Sequence, residues 1–383
     1  MLELSETTAP DYLRRTGRVS EAELLIQSLS GGVANIVLKV FDTGGGPKVG
    51  TDLRSPAQIK NNRPDARPNQ GHCFVLKQPL GKFKTQAEWL VDIDRGKVER
   101  DSMILLASLL PQGSVPEVLW YDDDNYVMAI ECAPVGSVIW KTALMDGHIS
   151  MDAATNAGML LAMMHSSTHN DPAVKARYGD HKFFIQQRVD PYLHHTAAKH
   201  PQVAPLLREL GEKILATQHC LIHGDYSPKN IFLVPDDGQD PTENSKLETR
   251  NSKLHHLMIL DFEVAFFGHA AFDVATLINH FLLKGFMQHK KWRPFMMMAD
   301  NFWQTYRNTA ASELVQATNA IGGHLLGALM LARVDGKSPA EYLLPHAEIC
   351  EQVRKAALDI LSQKDATLDH AMDAASAHFD EPE

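Results

Sequence analysis

One eight-residue run, His223-Gly224-Asp225-Tyr226-Ser227-Pro228-Lys229-Asn230, sets the strongest limit on what this chain can fold into. It reads H-G-D-x-x-x-x-N and sits between two apolar, strand-like segments, CLI before it and IFLV after it. The fold must therefore hold a short polar loop between two strands, with Asp225 and Asn230 facing one cleft. Phosphoryl transfer to a hydroxyl needs those two groups: a carboxylate to orient the hydroxyl and accept its proton, and an amide oxygen to hold magnesium. His-Gly-Asp alone is ordinary turn chemistry; the full spacing between strands carries the reading.

A second acidic motif, Asp261-Phe262-Glu263, follows the apolar segment LMIL. Asp261 is placed to bind a magnesium ion bridging nucleotide phosphates. Glu263, two residues on in an extended segment, would face the same side and hold a second ion. The apolar neighbours Ile259, Leu260, Phe262 and Val264 argue against a solvent-facing acidic turn. The catalytic candidate is thus Asp225, and the metal candidates are Asn230, Asp261 and Glu263. For the nucleotide, Leu29-Ser30-Gly31-Gly32-Val33-Ala34-Asn35 precedes the first strong strand, so backbone amides around Gly31, Gly32 and Asn35 could cover phosphates; two adjacent glycines also make plain turns. Lys77 ends the apolar run FVLK and suits the α- and β-phosphates. Glu99, on the next helix, is the candidate partner of Lys77, with Glu88 its competitor. Glu131 and Cys132 fall in a hinge over 128–133 whose backbone would bond adenine.

A domain boundary is expected at about residue 132, and from about Ser150 the pattern changes to helices. Before the boundary, IVLKVF, CFVLK and a hairpin around DDDN read as strands, and 98–110 reads as a helix. The stretch 42–71 is too rich in Gly, Pro and Asn to pack and is expected to be a long loop. After it, 151–167, 200–219 and 345–362 read as helices, interrupted by the β-rich segment that carries both motifs and by a second polar loop over 235–253. Domains at 1–132 (nucleotide-binding) and 133–383 (catalytic and acceptor-binding) follow. A net charge of −10 argues against nucleic acid and anionic membrane as partners. No basic-then-apolar leader opens the chain and no apolar run reaches about 18 residues, so a cytoplasmic protein without a membrane span is expected. Cys73, Cys132, Cys220 and Cys350 are scattered, which predicts reduced thiols and neither a disulfide nor a zinc site. The pairs His194-His195 and His255-His256 lack zinc-like spacing, Met296-Met297-Met298 reads as helix core, and Trp89 and Trp140 read as buried aromatics.

Taken together, GGVANIVLKV, VLKQ, HGDYSPKN and ILDFE resemble the aminoglycoside phosphotransferase and choline kinase superfamily. DRGKVERDSMILLASLLPQGSVPEVLWYD, WKTALMDGHIS and DFEVAFFGHAAFDVATLINHF are similar to methylthioribose kinases. The resemblance implies an α+β, bilobal protein-kinase-like fold, with a small antiparallel-sheet lobe plus a larger mostly helical lobe. It implies ATP and Mg2+ as cofactors and a small-molecule hydroxyl acceptor: a sugar, thio-sugar, amino alcohol or aminoglycoside. It also implies that Asp273 supports the catalytic loop, and it leaves a homodimer open. Two departures stand out. Methylthioribose kinases usually lack the loop asparagine, present here as Asn230. They also carry an arginine pair on the substrate wall, which the matching stretch Ile321-Gly322-Gly323-His324-Leu325-Leu326-Gly327 lacks, so methylthioribose is expected to be a poor substrate. H-G-D in place of H-R-D, D-F-E in place of D-F-G and the lack of an A-P-E segment argue against a protein kinase. The intact set Lys77, Asp225, Asn230, Asp261 and Glu263 argues against a nucleotide-binding pseudokinase.

Overall fold

The branched and aromatic residues of IVLKVF and CFVLK favour strands, whose alternating side chains put one face on a core. In the computed structural model they are β2 (Asn35–Asp42) and β3 (His72–Pro79), flanked by β1 (Leu24–Ser28) and by the hairpin β4 (Val118–Asp122) and β5 (Val127–Glu131). The sheet is antiparallel throughout, in the order β1-β2-β3-β5-β4. Leu38, Val40, Phe74, Leu76, Trp120 and Ala129 form its buried face with Tyr12 and Leu13 of an N-terminal helix. β1 escaped the sequence reading because most of its residues are exposed, which leaves no apolar alternation to detect. The structure describes residues 2–19, 23–29, 34–42, 72–82, 91–235, 256–288 and 291–379. They divide into one unit formed by Met1–Ala107 with Pro116–Ala133 and another formed by Ser108–Val115 with Pro134–Glu383. The loops expected at 42–71 and 235–253 lie outside the described residues from 43 and from 236 onward.

The second unit is mostly helical. Its short strands are β6 (Val138–Ile139), β7 (Cys220–Ile222), β8 (Ile231–Val234), β9 (His256–Ile259) and β10 (Phe266–Gly268). They form the ladders β10-β7 and β6-β8-β9, and the H-G-D loop runs from β7 to β8. Helices Met151–Ser167, Ala271–Met287, Trp292–Thr309 and Ser312–Asp335 make the core around them. Gly158 lets the first of these approach the third: a Cβ there would lie 2.6 Å from the Phe302 carbonyl oxygen. Ser312–Asp335 is long and apolar enough to cross a membrane by length and composition, which a count of uninterrupted apolar residues does not reveal. Here it is a core helix, packed on Ala271–Met287 and Ala347–Ser362. Trp140 is fully buried against Phe281, and Met296 and Met298 are buried while Met297 is exposed. His194 pairs with Asp190 on the same helical turn; Trp89 and His255 lie outside the described residues.

One expectation is corrected. Cys73 and Cys132 are joined in a disulfide with a Cα–Cα distance of 5.8 Å. The reason is strand register: Phe74 pairs with Glu131, so the residues one step outward face each other across β3 and β5. A sequence separation of 59 conceals that proximity. Cys220 and Cys350 are the free cysteines. Thiol titration of the unfolded, unreduced chain should therefore count two thiols, rising to four with reductant. The double Cys73→Ser/Cys132→Ser variant should lose roughly 2–4 kcal/mol in denaturant titrations, the usual contribution of such a cross-link.

Candidate active site

A buried carboxylate organises the H-G-D loop. Asp273, in the first turn of Ala271–Met287, accepts the backbone N–H of His223 at 2.6 Å on one oxygen and that of Gly224 at 2.9 Å on the other. His165 Nε2 lies 3.2 Å from the first oxygen. Two successive N–H groups can aim at one carboxylate because Gly224 adopts φ +76°, and a Cβ at that position would also lie 2.7 Å from the Val264 carbonyl oxygen. The glycine of H-G-D is thus required twice, by conformation and by space. His223 is fully buried, and burial pushes its imidazole below its ordinary value, so the ring is neutral. Its Nδ1 accepts the Asp225 N–H and its Nε2 donates to the Leu260 carbonyl, which fixes the tautomer.

Asp225 is 5% exposed. Burial works against its charge, but the Arg188 guanidinium, 3.0 Å away, and the Lys229 ammonium, 2.8 Å away, outweigh burial and hold the carboxyl well below the ordinary carboxylate range. Arg188 also donates to the Gly224 carbonyl at 2.7 Å, so one side chain grips both the loop backbone and its carboxylate. Nothing in the sequence singled Arg188 out. It lies on Ile185–His194, a π-helical segment with Pro191 inside it, and no periodicity rule recognises such a winding. Asn230 donates from its side-chain nitrogen to both the backbone and side-chain oxygens of Asp225, which directs its amide oxygen to other uses.

Asp261 and Glu263 follow β9. They reach the same side by a different route from the extended one expected: Asp261 takes a left-handed φ of +69° and a turn closes from Phe262 to Ala265. Their carboxylate oxygens come within 4.8 Å of one another, with Glu263 buried. Two converging carboxylates offer oxygen donors of the kind that a hard cation such as Mg2+ takes.

In the first unit, the Lys77 ammonium lies 2.5 Å from the Glu99 carboxylate, and both side chains are buried. Glu99 is thus a partner of Lys77; the other candidate, Glu88, lies outside the described residues, as do Gly31 and Gly32. Asn35 opens β2, buried and paired with Pro79. Arg95, also unforeseen, donates to the Ala34 and Leu80 carbonyls and so ties the start of β2 to the end of β3. Glu131 ends β5, its N–H bonded to the Glu117 carbonyl. The sulfur of Cys132 is committed to Cys73, so Cys132 offers a ligand only its backbone.

Comparison with known proteins gives this geometry a context. Residues 76–240 match the phosphotransferase enzyme family, a span that includes Lys77, Glu99, Asp225 and Asn230. The chain is 25% identical over 307 residues to the methylthioribose kinase of Pectobacterium atrosepticum and 24% identical to that of Yersinia pseudotuberculosis, over 72% of this chain in each case. It spans 64% and 63% of the lengths of those proteins. Among solved structures, the microcompartment-associated aminopropanol kinase superposes with a TM-score of 0.52 at 14% identity, covering 94% of this chain and 99% of that one. The fold is therefore the α+β, protein-kinase-like one.

The Asp273 anchor gives a stability prediction. Asp273→Ala leaves the buried donors of His223, Gly224 and His165 without their acceptor, at about 1–3 kcal/mol each. Urea titration should show a loss of roughly 3–9 kcal/mol, summing those terms.

Proposed function

We propose that the chain is an ATP-dependent kinase that transfers the γ-phosphoryl group to a hydroxyl of a small polar metabolite. The observation that carries this reading is Asp225. It is a buried carboxylate kept ionised by Arg188 and Lys229, held in place through Asn230, and set on a loop anchored by Asp273. An ionised, rigidly placed carboxylate orients a hydroxyl for in-line attack and accepts its proton as the new P–O bond forms. Its low basicity assigns it to alignment more than to early proton removal. Asn230, Asp261 and Glu263 would hold Mg2+, which supplies neutralisation of the phosphate charge when bound. Lys77, steadied by Glu99, would contact the α- and β-phosphates, with Gly31, Gly32 and Asn35 near the phosphates and the backbone of Glu131 and Cys132 at the adenine. Arg188 and Lys229 offset the charge that develops on the transferred group. A soluble, cytoplasmic enzyme acting on a free metabolite is part of the same proposal.

Asp225→Ala should abolish phosphoryl transfer while leaving ATP affinity within a few-fold; turnover near that of the native enzyme overturns the reading. Asp261→Asn should weaken magnesium-nucleotide binding more than binding of nucleotide alone, as read by calorimetry. The pH profile gives a further check. Activity is lost as pH falls through the Asp225 pKa, which in the native enzyme lies below the ordinary value of about 4. In Arg188→Met burial acts with less opposition, so the acid limb of kcat/KM should move up by about one unit or more. Methylthioribose should give a kcat/KM below about 10⁴ M⁻¹s⁻¹, the lower end of the usual range.

A further inference from the structure

Five cationic side chains from five separate segments gather around Asp225 in the second unit. Arg188 and Lys229 touch the carboxylate itself. Arg188 lies 5.7 Å from the centre of the Tyr192 ring, and Arg333, at the end of Ser312–Asp335, lies 5.9 Å from the same ring. Lys284 and Lys141 share a second ring, that of Tyr342, at 5.5 and 5.9 Å. His280 links the two groups, because its imidazole feels the charges of Lys284, Arg333, Asp225 and Lys229 together.

The anionic partners do not balance these cations. Glu341 pairs with Lys141, Asp225 is shared by Arg188 and Lys229, and the charges of Asp261 and Glu263 also act on Arg188, that of Asp261 on Lys229 as well, so the imbalance lies at Lys284 and Arg333. The hydrogen bonds of Lys284 and Arg333 go to neutral oxygens: Lys284 Nζ donates to the His280 carbonyl of its own helix, and Arg333 Nη1 to Ser338 and the Tyr192 hydroxyl. Among the described residues, the buried Arg333 Nε and the buried Tyr342 hydroxyl have no hydrogen-bond partner. Lys284 is 1% exposed. Its burial, then the charges of Lys141 and Arg333, push its ammonium down to about 7, against the pull of Glu341. A buried ammonium among like charges is costly, and an entering negative group offsets that cost. A phosphoryl group in transfer is already met by the two cations on Asp225; Lys284 and Arg333 stand further along the same row.

We propose that the acceptor is an anionic alcohol, whose carboxylate or phosphate is held by Lys284 and Arg333 while its hydroxyl lies at Asp225. This rests on the kinase reading. The hydroxyl oxygen bonds to the γ-phosphorus, the bond from that phosphorus to the β–γ bridging oxygen breaks, and ADP leaves with the electron pair. The hydroxyl proton passes to Asp225. A choline-like or aminoglycoside cation would meet like charge here, and a neutral thio-sugar would leave both cations unpaired.

Release of ADP by the full-length chain with Mg-ATP, measured across matched alcohols, tests this. The panel pairs glycerate, threonate and gluconate with glycerol, threitol and sorbitol, adds glycerol 3-phosphate and glucose 6-phosphate as phosphate arms, and includes ethanolamine and glucosamine as cationic ones. The expected result is a kcat/KM about ten- to a hundred-fold higher for an anionic member than for its neutral partner, the effect of one charge-assisted hydrogen bond. The better of the carboxylate and phosphate arms identifies the anion. Lys284→Met and Arg333→Met should each remove most of that preference and leave the KM for ATP within about two-fold, since one such bond is lost. Lys284→Met removes an uncompensated buried charge, so its thermal midpoint should not fall; if it does, Arg333→Met decides. Equal or faster turnover of the neutral or amine members, or a preference that survives both substitutions, overturns the anionic acceptor alone. Absence of Asp225-dependent turnover with every alcohol removes the kinase reading and this inference together.

Discussion

The catalytic loop depends on one buried acceptor, the carboxylate of Asp273. It receives two consecutive backbone N–H groups and faces a histidine ring, all away from solvent. Such an arrangement ties a helix, Ala271–Met287, to the turn after β7 with bonds that water cannot replace. Everything chemical follows from where that turn points. Asp225 comes next in the chain, the neutral His223 ring bonds its N–H, and Arg188 closes on the Gly224 carbonyl from the other side. The loop is thus held at its amides by a carboxylate and at its carbonyl by a guanidinium.

Much of this architecture was legible in the sequence where side-chain period and spacing report directly on the backbone. β2, β3, the β4–β5 hairpin and the helices Met151–Ser167 and Ala347–Ser362 fall where alternation or helical spacing placed them. The H-G-D run marked its own loop because a glycine between His and Asp has a steric reason to be there. What stayed hidden required three-dimensional neighbours. Arg95 acts through carbonyls of strands far from it in the chain. The Cys73–Cys132 bond is set by strand register, and neither cysteine carries a local signal. His324, the one polar group noted on the expected substrate wall, donates from its Nε2 to the Gln363 carbonyl of its own unit, 2.8 Å away.

The overall charge of −10 and the cations around Asp225 carry opposite signs, and both are physically meaningful. Net charge governs what approaches the surface from a distance, where salt screens it. A cluster of cations around a buried carboxylate, two of them (Arg188 and Lys284) buried themselves, governs what is held once water is excluded, where each unmatched charge counts far more. Lys141, Arg188, Lys229, Lys284 and Arg333 come from separate segments, so together they form no basic stretch in the sequence.

The winding of Ile185–His194 turns the number of residues in that segment into a structural quantity. An α-helix advances about 100° per residue, and a π-helical turn takes up one residue more before it closes. Arg188 meets Asp225, and its ring neighbour Tyr192 faces it, only in the phase that this wider winding sets. Removing a single residue upstream of Arg188 would let the segment relax to the tighter helix and rotate the guanidinium by about a quarter of a turn, the angle of one helical step. The site thus depends on the length of this stretch as well as on the identity of Arg188.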